Sequence, residues 1–334
     1  MSKTRASPTA STTAKPRRNT PEIRCSKNQG SPDFRDSKVS WYAPGKKWLM
    51  AVSAHDHIEF YSSKNLLIWT KESDFGRTLG AHGGVWECPD LLQVPDEQGK
   101  LHDVLIVNMN PGGPNGGSAT QYFVGAFDGK TFQATQPGTR WLDYGPDNYA
   151  GVTWANLPAS SAPTLIGWMS NWEYCQQAPT SPWRSAMTVP RTLGLRTAQG
   201  QLQLASQPIA GLDKLFKNPV TLENVAVTGS YDLGKRLKNT TGRFCLKFTV
   251  PQAQTWSIVL SNTAKEQVVI GYDAAKKDTI LTAATRVTSR LPPPRRSLPK
   301  WPMRPAPLPT PRRKLRCWSM PLRPSYSPTA DLRA

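Results

Sequence analysis

Two short segments place a carboxylate directly before a run of residues that reads as a β-strand. The first carboxylate is Asp36, which follows Arg35, and the second is Glu87, which opens the run ECPDLL at 87–92. Carboxylates on neighbouring strand starts are the groups that acid/base work on a glycosidic bond requires. Whether they can act together depends on the elements that carry them.

A weak internal repeat connects these segments with a third one. Residues 36–41, 87–92 and 148–154 each put polar or acidic residues ahead of a strand. They recur at intervals of roughly 50–60 residues, the scale of a propeller blade. The innermost strand of each blade lines the axis of a β-propeller, so equivalent strand starts meet at one end of the channel. A β-sandwich with similar strand spacing remains an alternative.

The whole middle of the chain predicts an all-β fold. Residues 31–208 contain short strands separated by Gly, Pro, Asn and Asp turns, without helical periodicity. Residues 209–220 read as a linker. Residues 221–275 give alternating strands that resemble part of a β-sandwich, a module that usually takes about 100 residues. We therefore predict a partial propeller, a linker and a truncated sandwich.

The two ends of the chain differ from the middle in charge and composition. The formal net charge of +19 resides almost entirely in residues 1–30 and 276–334. The first segment is rich in Ser, Thr, Lys and Arg, and the second is rich in Pro and Arg, so both are predicted to be disordered. Basic arms for nucleic acid are an alternative. Because residues 31–275 are nearly neutral, we predict no nucleic-acid partner.

Cysteine usage and hydropathy bound several other functions. The five cysteines are scattered, without metal-ligand spacing, so we predict no structural disulfide, no metal site and no cofactor. No apolar run approaches the roughly 20 residues that span a bilayer, and the N-terminus has no signal-peptide pattern. We expect neither a membrane partner nor a signal peptide, and the oligomeric state stays open.

Aromatic residues are concentrated between positions 86 and 183. Flat aromatic faces stack on sugar rings, yet a tryptophan in a propeller more often packs in the core. Core packing is therefore favoured for most of them. Trp172 is the exception because its neighbours are polar, and we expect it to line a pocket. The group consists of Trp86, Trp141, Trp154, Trp168, Trp172, Trp183, Tyr144, Tyr149 and Tyr174.

Five motifs in order resemble glycoside hydrolase family 32, the levanases, inulinases and β-fructofuranosidases. The likeness covers about residues 31–275, whereas residues 1–30 show none. The motifs are SPDFRDSKVSWY (31–42), GGVWECPDLL (83–92), DYGPDNYAGVTW (143–154), GWMSNWEY (167–174) and SPWRSAMTVPRTLGLR (181–196). The resemblance implies a five-bladed β-propeller followed by a β-sandwich, with most of blades two to five present here and the first blade lacking.

The resemblance also implies a retaining hydrolysis of β-fructofuranosyl bonds through a fructosyl–aspartate intermediate. Glu87 would be the general acid/base, and Asp36 would stabilise the transition state. Arg35 would help to hold the sugar. Asp147, Tyr149 and Trp172 are further expected substrate-binding residues. The substrate would be levan, inulin or sucrose, which the sequence does not separate.

Two departures from the family pattern affect the expected activity. Ser37 stands where the family usually has Pro after Arg-Asp. The family's nucleophilic aspartate lies in a Trp-(Met/Leu)-Asn-Asp-Pro-Asn-Gly motif on the first blade, and the 334 residues contain no such motif. We therefore predict little or no activity for this chain. Fructan binding without catalysis is the principal alternative. Members of this branch of the family are commonly secreted, and the location of this chain stays open.

Overall fold

The computed structural model describes residues 24–25, 30–114, 116–158, 160–178, 180–237, 245–251, 254–261, 267–276, 278–284, 312–318 and 329–333. This part of the chain is almost entirely β-structure, with a single four-residue α-helix, α1 (Gly234–Leu237). None of its helices is both long and apolar enough to cross a membrane. The predicted all-β class is confirmed.

The first sheet is a meander of four antiparallel strands with a short fifth strand at its outer edge. Its order is β1-β5-β4-β3-β2, and β1 pairs with β5 in parallel. The innermost strand, β2, therefore begins the meander in the sequence. The strands are β1 (Arg24–Cys25), β2 (Phe34–Tyr42), β3 (Lys47–Ala54), β4 (Ile58–Ser63) and β5 (Ile68–Phe75).

The second and third sheets repeat this plan. The second has the order β10-β8-β7-β6, with β9 paired to β8, and the third has the order β11-β12-β14-β15, with β13 paired to β12. The strands are β6 (Val85–Pro95), β7 (Leu101–Asn110), β8 (Ala119–Phe127), β9 (Phe132–Ala134), β10 (Arg140–Trp141), β11 (Tyr149–Thr153), β12 (Thr164–Met169), β13 (Ala186–Met187), β14 (Arg191–Ala198) and β15 (Gln201–Pro208).

Three blades thus fill residues 34–208, and the expectation that most of four blades are present was wrong. The reason is length, because the inner strands of the three blades begin at Phe34, Val85 and Tyr149, and the third blade ends at Pro208. Relative to a five-bladed ring, two blades are not represented among the described residues. The sheets are not closed on themselves, as expected for an incomplete propeller.

Two of the three apolar clusters of the described residues lie between adjacent blades, and the third, which contains Met50 and Trp69, lies within the first sheet. One cluster joins the first two blades and contains Phe60, Phe75, Trp86 and Phe123, all nearly inaccessible to solvent. A second cluster joins the second and third blades through residues such as Val104 and Leu165. Full burial of such side chains contributes about 1.5–3 kcal/mol each. This packing fixes the inner strands next to one another.

Each inner strand carries the same irregularity near its start. In β2, β6 and β11, two residues face one residue of the partner strand, which is a β-bulge. The first bulge residue is Asp36 (φ 61°), Cys88 (φ 44°) or Ala150 (φ 51°). The left-handed conformation costs a non-glycine residue about 1–2 kcal/mol. Strained positions of this kind cluster at functional sites, so the three bulges mark where a site is to be sought.

The remaining strands form two further sheets, one of five strands and one of two, after a 3₁₀ helix (Ala210–Leu215) in the predicted linker. One sheet has the order β16-β22-β18-β19-β20, and the other pairs β17 with β21. Phe248 of β17 packs edge-on against Trp256 of β18. The strands are β16 (Ser230–Asp232), β17 (Cys245–Pro251), β18 (Trp256–Ser261), β19 (Gln267–Asp273), β20 (Asp278–Ala284), β21 (Arg312–Trp318) and β22 (Thr329–Arg333).

The predicted disordered ends differ from the structure at four strands. β20, β21 and β22 lie within 276–334, and β1 lies within 1–30. The first three occupy stretches without proline, so their backbones keep the donors that sheet pairing needs. Apart from Gly30 and Lys276, the other residues of these two segments lie outside the described part of the chain, and the prediction stays untested there.

Candidate active site

The residues immediately before the three bulges converge on one point. Arg35, Glu87 and Tyr149 come from β2, β6 and β11. Oε1 of Glu87 accepts hydrogen bonds from Nη2 (2.8 Å) and Nε (3.2 Å) of Arg35. Oε2 of Glu87 accepts a hydrogen bond from the hydroxyl of Tyr149. The Glu87 carboxyl group is therefore held from both sides by side chains of the two neighbouring blades.

Charge and burial explain how these partners hold Glu87. The pKa of Arg35 is raised above its ordinary value, mainly by its hydrogen bond to Glu87 and then by Asp33. Burial, followed by the hydrogen bond to Glu87, raises the pKa of Tyr149. Both groups consequently keep their protons and act as permanent donors to Glu87.

Asp36 lies beside Glu87 and is oriented by the bulge of the next blade. Its Oδ2 accepts hydrogen bonds from the backbone N–H of Cys88 (3.2 Å) and from the Cys88 thiol (3.6 Å). Burial and the nearby Asp36 carboxylate raise the pKa of Cys88 to about 12. The thiol therefore stays protonated, and it is a donor to Asp36 rather than a nucleophile.

A chain of polar groups extends from Arg35 toward the surface. The Arg35 guanidinium also pairs with Asp33, and Asp33 contacts Nδ1 of His55 at 2.8 Å. The pKa of Asp33 is lowered by the hydrogen bond to His55 and then by the one to Arg35. Asp33 therefore stays ionised and steadies Arg35. His55 carries no sequence signal that predicts this contact.

One layer further along the inner strands, a buried ion pair joins all three blades. Oδ2 of Asp90 accepts hydrogen bonds from Nζ of Lys38 (3.1 Å) and from the backbone N–H and the hydroxyl of Thr153 (2.7 Å each). Asp90 is almost fully buried. Since Asp90 follows Glu87 on the same strand, this contact fixes the strand that carries Glu87.

Asn108 performs a similar task from the second strand of its blade. Its amide donates to the carbonyls of Cys88 (3.3 Å) and Gly151 (3.2 Å). Its Oδ1 accepts from the Gly151 N–H (3.2 Å) and from the Thr120 hydroxyl (2.6 Å). The side chain is fully buried. Asn108 therefore links the bulge after Glu87 to the bulge after Tyr149. The sequence patterns did not indicate this role of Asn108.

The residue before Glu87 is seated by a glycine of the preceding blade. Trp86 is fully buried, and a Cβ atom added at Gly76 would lie 2.4 Å from its ring. Gly76 also has a φ of +99°, which favours glycine. This close approach lets the Trp86 ring enter the interface between the blades and directs Glu87 to the axis.

A second group of predicted residues lies in the third blade, just before β11 and just after β12, and is called the rim here. The Tyr174 hydroxyl donates to Asp147, and burial raises the pKa of the Asp147 carboxyl group. Trp172 is 50% exposed and packs edge-on against Trp168. Asn171 ties this rim together, because its amide donates to the Pro146 carbonyl (3.0 Å).

The structure thus separates the predicted residues into two groups. Arg35, Asp36, Glu87 and Tyr149 lie in one hydrogen-bonded cluster. Asp147 and Trp172 lie on the rim, where Asp147 contacts Tyr174. Tyr149 is only 2% exposed and contacts Glu87 directly, so its evident task is to position that carboxyl group.

The cluster is suited to proton transfer next to a fixed negative charge. Within the described residues it contains three carboxyl groups, and one of them, Asp33, is engaged by both His55 and Arg35. Glu87 can exchange a proton, and Asp36 can stabilise a developing positive charge. A retaining glycosidase needs a second carboxylate about 5–5.5 Å from its acid/base to attack the sugar.

Comparisons with known proteins identify the family of the chain. The family model "Glycosyl hydrolases family 32 N-terminal domain" matches residues 3–208, so the match begins ahead of the expected boundary at residue 31. The chain is 43% identical over 206 residues to a levanase of Bacillus subtilis (strain 168), covering 60% of this chain and 30% of the levanase. It is 37% identical over 265 residues to an extracellular exo-inulinase of Aspergillus awamori, covering 75% and 49%.

Solved structures give the same answer for the fold. The β-fructofuranosidase from Schwanniomyces occidentalis complexed with fructosyl-erythritol matches with a TM-score of 0.61 and 30% identity, covering 75% of this chain and 52% of that one. The chain thus spans less than half the length of the two curated relatives. A family match over more than half of the sequence, with both carboxylate motifs in one hydrogen-bonded cluster, shows that the chain belongs to glycosyl hydrolase family 32.

Proposed function

We propose that this chain forms the acid/base and charge-stabilising part of a site that hydrolyses β-fructofuranosyl bonds with retention. The observation that carries the proposal is the placement of Glu87 between Arg35 and Tyr149, with Asp36 beside it. Glu87 gives a proton to the oxygen of the leaving group and later removes a proton from water. Because Arg35 and Tyr149 hold the carboxyl group of Glu87 in one orientation, its proton is directed toward one position of the leaving-group oxygen.

Asp36 acts on the sugar rather than on the leaving group. Its carboxylate accepts hydrogen bonds from fructose hydroxyls and stabilises the oxocarbenium-like transition state. The two donors from Cys88 fix the direction of the carboxylate, so little reorganisation is needed during the reaction. Arg35, which pairs with both Asp33 and Glu87, limits repulsion between these two carboxyl groups.

The substrate class follows from what the relatives share. A levanase, an exo-inulinase and a β-fructofuranosidase complexed with fructosyl-erythritol have a fructosyl unit in common. We therefore assign a terminal fructosyl unit to the Glu87 and Asp36 cluster. The exposed ring of Trp172 is available for stacking on a further sugar. Because the Aspergillus relative is named extracellular, we extend that location to the full protein.

These 334 residues by themselves are proposed to bind fructosyl sugars without measurable hydrolysis. The family's nucleophile motif is not in the sequence, and a missing covalent nucleophile removes most of the rate enhancement. Asp33 does not replace it, because His55 and Arg35 hold its carboxylate. The supported function is therefore recognition of the fructosyl unit with an incomplete catalytic set.

The binding part of the proposal is tested by titrating the chain with inulin and levan oligosaccharides in a calorimeter. Asp36→Asn is expected to weaken binding at least tenfold. Asp128→Asn is a matched control, because Asp128 lies in a turn where it accepts two backbone N–H groups. Equal affinities of the wild type and of both variants would contradict the role of Asp36.

A further inference from the structure

A second cluster of ligand atoms lies in the outer strands of the first blade, apart from Glu87 and Asp36. It comprises His57, which directly precedes β4, Glu59 on β4 and Asp74 on β5. One ligand atom from each residue lies within 4.8 Å of the other two. Glu59 and Asp74 face each other across the β4–β5 pair, so the sheet itself holds the two carboxylates together.

His57 is directed into this cluster without a hydrogen-bond partner for its inner nitrogen. Its side chain is 7% exposed, and the buried Nε2 atom makes no hydrogen bond to any of the described residues. Nε2 lies 3.6 Å from Oε1 of Glu59. The other ring nitrogen, Nδ1, lies 3.0 Å from Oδ1 of Asp56. In the tautomer whose Nδ1 donates to Asp56, Nε2 is available as a metal ligand on the side that faces Glu59.

Each candidate ligand is also held by a partner on its other side. Asp56 orients His57, the Tyr61 hydroxyl donates to Oε2 of Glu59, and Arg77 donates to Oδ2 of Asp74 at 2.7 Å and 3.0 Å. The atoms left facing inward are Nε2, Oε1 and Oδ1. Outer partners that fix the first ligands are a regular feature of metal sites.

A cation already occupies the space between the two carboxylates. Nζ of Lys71 lies 2.6 Å from Oε1 of Glu59 and 2.7 Å from Oδ1 of Asp74. The Lys71 side chain is 21% exposed, so its ammonium group can turn outward into solvent. The pocket therefore has the charge and the donor atoms of a cation site, with a lysine in the place of the ion.

We propose that His57, Glu59 and Asp74 bind a divalent transition-metal ion that displaces the Lys71 ammonium group. One imidazole nitrogen with two carboxylate oxygens suits Zn²⁺, Co²⁺ or Ni²⁺. Ca²⁺ and Mg²⁺ prefer oxygen ligands alone, so they fit less well. Zn²⁺ takes these donors at about 2.0–2.2 Å, so the three atoms must approach one another slightly, and water would complete the shell. This assignment replaces the expectation of no metal site, which rested on cysteine spacing.

The proposal is tested by titrating the chelator-treated full chain with Co²⁺ and recording the visible absorption of the bound ion. Zn²⁺ is then added as a competitor. The wild type is expected to bind one Co²⁺ with a spectrum typical of low coordination number, and Zn²⁺ should displace it. The absence of a saturable spectrum in both the wild type and Lys71→Met would overturn the proposal.

Two variants and a control distinguish Co²⁺ binding at this site from non-specific Co²⁺ binding elsewhere on the chain. Lys71→Met removes the competing charge and keeps the length of the stem, so it is expected to tighten Co²⁺ binding at least tenfold. His57→Gln is expected to abolish the spectrum. His102→Gln is the matched control, because His102 also pairs with a carboxylate, Asp96 at 2.8 Å, and it should change nothing. Binding that is unchanged by either His57→Gln or Lys71→Met would refute the assignment, and circular dichroism checks that each variant is folded.

Discussion

Replacing Asp90 by Asn removes one negative charge from the junction of the three inner strands. In the wild type, Oδ2 of Asp90 accepts hydrogen bonds from Lys38 and from two groups of Thr153. The Lys38 ammonium group also donates to the Thr153 carbonyl at 2.7 Å. Asn has the same shape, so the variant changes charge and hydrogen bonding without opening a cavity.

The expected loss follows from burial. Breaking a buried ion pair by removing one partner costs about 3–5 kcal/mol. The Lys38 side chain is 23% exposed and the Asp90 side chain 1%, so the stranded ammonium group can be hydrated in part. The amide oxygen of Asn can still accept from Thr153. We therefore expect Asp90→Asn to lower the free energy of unfolding by about 2–3 kcal/mol.

Urea unfolding, followed by tryptophan fluorescence, measures this loss. Asp128→Asn is the control, because it makes the same chemical change in an exposed turn, and it should cost less than about 0.5 kcal/mol. The double variant of Asp90→Asn with Lys38→Met should lose about 1–2 kcal/mol less than the sum of the single variants. Additive losses, or a loss equal to that of Asp128→Asn, would refute the claim that this ion pair joins the blades.

Three further outcomes are expected. Cys88 should react with iodoacetamide at pH 8 about a thousandfold more slowly in the folded chain than in urea, because a pKa of about 12 leaves little thiolate; equal rates in peptide mass spectrometry would contradict this. Tyr149→Phe should lower the free energy of unfolding in urea by about 1.5–3 kcal/mol through the lost hydrogen bond to Glu87, whereas Tyr144→Phe should not. Burial raises the pKa of Asp147 above its ordinary value of 3.8. Between the pKa of the unfolded state and that of the folded state, the folded chain retains a proton that the unfolded chain has lost. The free energy of unfolding therefore falls as the pH rises through this range. Asp147→Asn should therefore gain stability over the wild type at pH 7 but not at pH 3, and an equal gain at both pH values would refute it.

The repeat of polar strand starts made the blades and the two carboxylates predictable from the sequence. Positions 36, 87 and 148–149 recur at blade spacing, and in the structure they lie at or next to the bulges of three inner strands. The fold class and the family followed from the same motifs. The number of blades did not, because the resemblance suggested more of the ring than residues 34–208 hold.

Contacts between distant segments were beyond the reach of sequence patterns. His55 and Asn108 show no periodicity or motif that marks them, yet each fixes a member of the site through side-chain geometry. The role of Tyr149 was only half predicted, since its motif indicated the site but not its contact with Glu87. Such contacts depend on how neighbouring blades pack, which a single sequence does not encode locally.

The most direct test of the proposed function is the release of reducing sugar from levan, inulin and sucrose by these 334 residues, compared with Glu87→Gln. The wild-type chain should release no more sugar than Glu87→Gln, because the sequence lacks the family's nucleophile motif and, among the described residues, the third carboxylate of the cluster, Asp33, is held by His55 and Arg35. Oligosaccharide binding should persist. Turnover by the wild type that Glu87→Gln abolishes would contradict the claim that the catalytic set is incomplete.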